Sequence, residues 1–245
     1  MKQPVFLVLI FLIFLSCGRQ KTLNVLVFSK TEGFRHESIE SGVKMLQQNA
    51  QPQNWHVTAS EDASIFTDEA LSRFDVAVFL SPSGNVLDDV QKAAFERFIS
   101  KGKGFVGIHG SATIEYDWPW YGRLNGAFFS VHPEAQEARV IIENTNHPAM
   151  KPFKNMKDYI TFDEWYSFRT NPKDDVNVLI TLDESSIKQS GDGRWKMGNH
   201  PLAWWREFEG ARTFYTGFGH THESFSNPVI VEHITEAINW AGKRY

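Results

Sequence analysis

The chain has 245 residues, with 25 Lys plus Arg against 29 Asp plus Glu, a formal net charge of −4 and one cysteine. That length supports one α/β domain with a substantial core, and the even mixture of charges argues against a nucleic-acid-binding surface. No internal repeat, low-complexity tract or block of like charge divides the chain, so a single domain is expected over residues 21–245.

The first element is a leader. Met1-Lys2, an apolar run from Val5 to Leu15 and then Ser16-Cys17-Gly18 have the charged start, hydrophobic middle and small-residue exit of an export signal. The run is short for a membrane span. Leu15-Ser16-Cys17-Gly18 resembles a bacterial lipobox, which predicts lipidation of Cys17 and a location in the bacterial cell envelope, periplasmic or surface-facing. A plain uncleaved anchor is the alternative. Residues 1–20 are placed outside the fold, and membrane contact is expected through the N-terminal lipid only. With Cys17 used in this way the domain has no thiol, which excludes a catalytic cysteine and a disulfide framework.

Asn24-Val25-Leu26-Val27-Phe28 reads as a strand, and Ile39, Val43, Leu46 and Ala50 follow at helical spacing. Strands are predicted next at Trp55–Ala59 and Asp75–Leu80, then a helix through Leu87, Val90, Ala94 and Phe98, then a strand at Phe105–Ile108. This alternation predicts a parallel sheet covered by helices on both faces. Past residue 112 it loosens. Ala138–Ile142, Val176–Leu182, Leu202–Phe208 and Thr213–Gly217 read as strands with few helices between them, which predicts an antiparallel C-terminal extension. Asp192-Gly193 supports a hairpin turn there, and a second connection is expected near Glu209-Gly210. Asn227-Pro228, a cap residue followed by proline, opens a last helix through Ile230, Ile234, Ala237, Ile238 and Ala241.

Strands ending in Ser29, Ser81 or His109 place polar groups at the carboxyl rim of the sheet, where open α/β sheets collect ligands. Gly107-Ile108-His109-Gly110-Ser111 has the form of a catalytic elbow with histidine at the nucleophile position. A histidine there can act as base, acid or metal ligand. Thr31 to His36 follows the first strand and has one glycine where a dinucleotide fingerprint has three. Arg35 and His36 are candidate substrate contacts in it, and helix capping by Ser38 is the plainer reading of the segment. In Phe162-Asp163-Glu164-Trp165-Tyr166 two carboxylates adjoin two aromatics. On a strand Asp163 and Glu164 point to opposite faces, so one of them enters a given pocket.

His36, His109, His132, His200 and His220 all fall in loops or at predicted strand ends. His200 and His220 meet only if their strands pair antiparallel. No histidine pair has the i, i+4 spacing of a zinc enzyme, and no cofactor is expected; a divalent metal on His109, His132, His200 and His220 is the open alternative. Trp118, Trp120, Tyr121, Trp165, Tyr166 and Trp204 lie near these loops, either as faces for sugar rings or as core.

Gly33-Phe34-Arg35-His36, Gly104 to Gly110, Gly126-Ala127-Phe128-Phe129 with His132-Pro133, Asn146-His147-Pro148, Asp163 to Tyr166, His200 to Trp204 and Phe214 to His220 form an ordered set. Together they resemble the ThuA-like family, named for trehalose utilisation, over Leu23 to Trp240. The resemblance implies a flavodoxin-like sheet of the class I glutamine amidotransferase type that lacks the catalytic cysteine, with His109 at the elbow. It also implies metabolism of disaccharides and their 3-keto derivatives.

The expected function is an envelope carbohydrate-processing protein, a lyase or hydrolase of a small-molecule disaccharide, glycoside or 3-keto-glycoside. His109, Glu164 and Asp163 are the catalytic candidates, and Arg35, His36, His132, Trp165, Tyr166, His200, Trp204 and His220 the substrate contacts. A carbonyl at C3 acidifies the C2 proton, so one base can start elimination of the glycosidic bond. The competing expectation is a noncatalytic carbohydrate-binding accessory lipoprotein.

Overall fold

The computed structural model describes residues 21–189 and 191–244, so the expected leader and the expected lipidation at Cys17 lie outside the described residues. The elements are β1 (Leu23–Phe28), α1 (Ile39–Ala50), β2 (Trp55–Ser60), α2 (Asp68–Leu71), β3 (Val76–Leu80), α3 (Asp89–Ser100), β4 (Gly104–Ile108) and α4 (Pro119–Asn125). They continue with β5 (Phe129–Val131), β6 (Gln136–Ile142), β7 (Asp158–Asp163), β8 (Ser167–Phe168), β9 (Asn177–Leu182), β10 (Pro201–Phe208), β11 (Ala211–Thr216) and α5 (Pro228–Ala241). Among the described residues no helix is long and apolar enough to cross a membrane.

Nine strands form one sheet in the order β2-β1-β3-β4-β11-β10-β9-β6-β7, and β5 pairs with β8 beside it. From β2 to β11 the neighbours run parallel, and from β11 to β7 each pair is antiparallel. The mostly parallel α/β architecture follows from apolar runs that must be buried on both sides. In β1, Val25 and Val27 join the core shared with α1 and α5, while Leu26 and Phe28 join the one beneath α2, α3 and α4. Helices therefore cover both faces of the parallel half.

The antiparallel half departs in detail from the chain-order reading. β11 closes a hairpin with β10 yet also lies parallel to β4, because the chain returns to the centre of the sheet after building its far edge. β7 at that edge was not legible: its alternate residues are exposed, including Ile160 and Phe162, so it lacks a continuous apolar run. The two helices that end the parallel half's cover and the chain are set by local caps. In α3, Asp88 and Gln91 form a reciprocal capping box, and in α5 the Asn227 side chain accepts from Val229 N–H ahead of Pro228.

Candidate functional site

The parallel strands end along one rim, and the loops that leave β1, β3, β4 and β11 meet there with the segment after β7. His109, directly after β4, has φ 44°, and Ser81, directly after the neighbouring β3, has φ 46°. Left-handed backbone at a non-glycine residue costs on the order of 1–3 kcal/mol and persists only where surrounding structure enforces it. At His109 the enforcement is visible: Tyr215 Oη–H donates to its carbonyl (3.1 Å), and its ring Nδ1–H donates to Gly217 O (2.9 Å). The elbow form is thus present, with a fully buried imidazole whose Nε2 faces the site.

Asp163 ends β7 and is completely buried. Its carboxylate accepts from Gly219 N–H, His220 N–H and Ser224 Oγ–H at 3.0, 3.0 and 2.8 Å, and from Glu164 N–H at 2.9 Å. It braces the loop that carries His220 and orients the next residue, without entering the site. Gly219 has φ +122°, and a Cβ there would approach Ile108 Cγ2 to 3.0 Å, so glycine is required for this turn. Ser38 does not cap α1; its hydroxyl donates to Gly219 O and ties the same loop from the other side.

Glu164 is the focus of the cluster. Its Oε2 lies 3.4 Å from His109 Nε2 and 3.2 Å from His220 Nδ1, and its Oε1 lies 3.2 Å from His132 Nδ1. His36 completes the group, with Nε2 3.3 Å from Tyr166 Oη. His36, His109, Glu164 and His220 each present one donor atom, all within 4.8 Å of one another, a spacing at which they can hold a metal ion. Burial, then the neighbouring His109 and His220, lowers the His36 pKa to about 3, so its ring is neutral. Burial also opposes the Glu164 charge, but contact with His109 and His220 outweighs it and holds the carboxyl well below its usual range. The His220 pKa is raised: burial works against the cation, and the Glu164 carboxylate overcomes it.

The cluster opens on a cavity of about 470 Å³. His36, His132 and Glu164 form its polar end, and Phe34, Tyr116, Phe129 and Tyr166 its aromatic walls. Phe34 is 69% exposed at the mouth, and the Arg169 guanidinium lies 3.8 Å from the Tyr116 ring centroid. Phe34 and Phe129 stand in the motifs shared with the family but not among the expected substrate contacts, and Tyr116 in neither, because an aromatic in a loop looks the same in sequence whether it lines a cavity or plugs a core.

Other expected site residues are placed differently. Trp165 and Trp204 are core residues, each about 1% exposed, with indole N–H groups donating to Gln136 O and Asn125 O. Trp204 also stacks on Tyr215 at 4.3 Å, so neither indole has a face to offer a sugar. Trp118, Trp120 and Tyr121 pack against the core under α3 and α4. Arg35 turns its guanidinium to Glu40 and Glu61, at 2.7 and 2.8 Å, which raises its pKa and leaves it outside the cluster. The β10–β11 pairing does not bring His200 to His220: His200 is buried between Tyr166 O and the Glu184 carboxylate, at 2.9 and 3.0 Å. Of the proposed metal set, His109 and His220 converge, His36 and Glu164 join them, His200 supports the Tyr166 backbone from behind, and His132 meets the far oxygen of Glu164.

Solved structures share the fold. A putative ThuA-like protein from Bacteroides uniformis is 23% identical with a TM-score of 0.75, covering 89% of this chain and 91% of its own. Another from Parabacteroides merdae is 17% identical with a TM-score of 0.73, covering 91% of each chain. The glutaminase domain of the Trypanosoma brucei CTPS, 9% identical with a TM-score of 0.53, covers 88% of this chain and 93% of its own, in keeping with a glutamine amidotransferase-like fold. No functionally curated protein matches the chain by sequence. The model of the family described as ThuA, trehalose utilisation, matches residues 24–241, and the chain therefore belongs to the ThuA family.

Proposed function

We propose that this protein processes a disaccharide, a glycoside or its 3-keto derivative by proton transfer in the histidine and glutamate cluster. The observation that carries the reading is the convergence of two buried imidazoles, His36 and His109, and the half-buried His220 on one ionised carboxylate beside an aromatic cavity. Family membership supports a carbohydrate as the ligand. Aromatic walls suit the apolar faces of a sugar ring, and the polar end suits its oxygens.

A 3-keto-glycoside is the substrate class that such a site serves best. The C3 carbonyl acidifies the C2 proton; a base removes it, the C2–H electron pair becomes the C1–C2 double bond, and the glycosidic C1–O bond breaks. The departing oxygen takes a proton from the site, so no oxocarbenium ion and no pair of opposed carboxylates is required. His109, Glu164 and His132 are the groups able to carry that proton, since Glu164 touches the buried His109 through Oε2 and the cavity-wall His132 through Oε1. Asp163 acts as a brace.

The leader supports export and attachment by lipid at Cys17, which makes the working location the bacterial cell envelope. Cys17→Ala is expected to shift the protein from the membrane to the soluble fraction of its host.

The purified chain incubated with trehalose, 3-keto-trehalose and a panel of related glycosides is expected to release a free sugar from the 3-keto substrates, read by chromatography and mass spectrometry. His109→Ala should lose turnover while its sugar affinity stays within a few-fold. Sugar binding with no turnover anywhere in the panel would establish the noncatalytic binding protein instead.

A further inference from the structure

We infer that His36, His109, Glu164 and His220 form a binding site for a divalent late transition metal, with zinc the ion that suits its donors best. The inference stands on geometry and does not rest on the sugar reading. His36 Nδ1, His109 Nε2 and His220 Nδ1 are buried without a hydrogen-bond partner. His36 is 3% exposed and His109 fully buried, where polar atoms are normally satisfied. His109 and His220 instead bring these nitrogens beside one and the same oxygen, Glu164 Oε2, at 3.4 and 3.2 Å. A tetrahedral zinc with bonds of about 2.05 Å separates its donors by about 3.3 Å, so both spacings fit edges of one coordination tetrahedron.

The rings agree with the donor atoms. His36, His109 and His220 have pairwise centroid separations of 4.8, 5.3 and 5.3 Å and interplanar angles of 86°, 90° and 66°. Three imidazoles on one tetrahedral ion hold their centroids about 5 Å apart. The outer bonds also select the tautomers that a metal requires. His109 Nδ1–H donates to Gly217 O, which leaves Nε2 with a free lone pair, and His36 reaches Tyr166 Oη through Nε2, which leaves Nδ1 free when that nitrogen donates.

Three imidazoles and one carboxylate favour zinc or a neighbouring late divalent ion over magnesium or calcium, which take oxygen donors. His132 stays outside the set because its Nδ1–H donates to Pro133 O at 2.9 Å. The cluster opens toward the cavity through His36 and Glu164, so an additional donor would come from that side, a class met by the carbonyl or hydroxyl oxygen of a sugar. With the metal bound, His109 is a ligand, and Glu164 Oε1 with His132 is left to carry the proton.

The test is metal binding by the full chain after treatment with a chelator, followed by titration with Zn²⁺ against a chromophoric competitor and with Co²⁺ by visible absorption. One equivalent per chain, sub-micromolar Zn²⁺ affinity and Co²⁺ bands of a four- or five-coordinate site are expected. Glu164→Gln and His109→Ala should each weaken Zn²⁺ binding by at least ~100-fold, beyond the 10–100-fold typical of residues one shell out. His222→Ala, on an exposed residue outside the set, should bind like the parent. If His109→Ala does not fold, His220→Asn replaces it, and the Co²⁺ spectrum of the unmodified chain needs no variant. Absence of stoichiometric binding to the parent chain, or unchanged affinity in Glu164→Gln and His220→Asn, would overturn the site. Stoichiometric metal without sugar turnover would support the site and overturn the enzymatic reading; turnover by a chain that binds no metal would do the reverse.

Discussion

Among the described residues, two groups of largely buried histidines have opposite characters. At the rim, His36, His109 and His220 surround an ionised carboxylate beside a cavity. Below the sheet, His147 and His233 are also buried, each with an Nε2 that has no hydrogen-bond partner. They share a single residue: His147 Nδ1 accepts from Ala149 N–H at 3.2 Å, and His233 Nδ1–H donates to Ala149 O at 2.8 Å. Rings pack against both, with Trp240 4.4 Å from His147 and Phe214 5.3 Å from His233. An unpartnered imidazole nitrogen is therefore not a functional sign in itself. A carboxylate within reach and an opening to a ligand separate a site from a tightly packed core.

The sharpest break between the two is Glu164→Gln. It should lower turnover of a 3-keto-glycoside by at least ~100-fold, the lower end of what a positioned acid or base contributes. The melting temperature should move by only a few degrees, since no core packing is lost. Asp163→Ala should do the converse to the fold. It strips acceptors from the buried donors of Gly219, His220 and Ser224, and denaturant unfolding should register a loss of about 3 kcal/mol.

The lower cluster should contribute to acid stability alongside His36, whose pKa burial lowers to a similar value. Burial lowers the His147 pKa to about 3 and the His233 pKa to about 4. An unfolded histidine titrates near 6.5. Between those values the unfolded chain binds more protons than the folded one, so stability is full above about pH 6.5 and declines as pH falls toward 3–4. Unfolding followed against pH should show that decline. His233→Leu should flatten part of it and leave Zn²⁺ affinity unchanged; an acid limb identical to the parent would show that the charge is accommodated elsewhere.

Smaller effects refine the rim cluster. Tyr166→Phe removes the hydroxyl that meets His36 and should weaken metal binding by roughly tenfold, the low end of what one outer-shell contact contributes. Phe34→Ala, at the exposed mouth, should lower sugar affinity about five-fold, in line with ~1 kcal/mol for an aromatic contact, while stability changes by less than about 0.5 kcal/mol. A larger loss of sugar affinity in Phe34→Ala than in Tyr166→Phe would place the sugar at the mouth rather than over the polar floor.

Much of this organisation was present in the linear pattern. Continuous apolar runs in β1, β3 and β4 demanded a sheet buried on both faces, and Asn227-Pro228 marked the start of α5, because both signals are local. The elbow at His109 was legible for the same reason, being a short strand end with small residues around one reactive side chain. The roles within the aromatic and acidic motifs were not local. Trp165 and Trp204 have the composition of a sugar platform, and only packing against the far half of the sheet shows them as core. Asp163 and Glu164 are adjacent in sequence, yet one braces a loop 56 residues away while the other centres the site. The sequence by itself determined the strands of the parallel half, the elbow and the family; the return of β11 to β4 decided which histidines meet, because it brings the Gly219-His220 loop beside His109. Convergence of side chains from distant loops depends on strand order and register, which no local run of residues encodes.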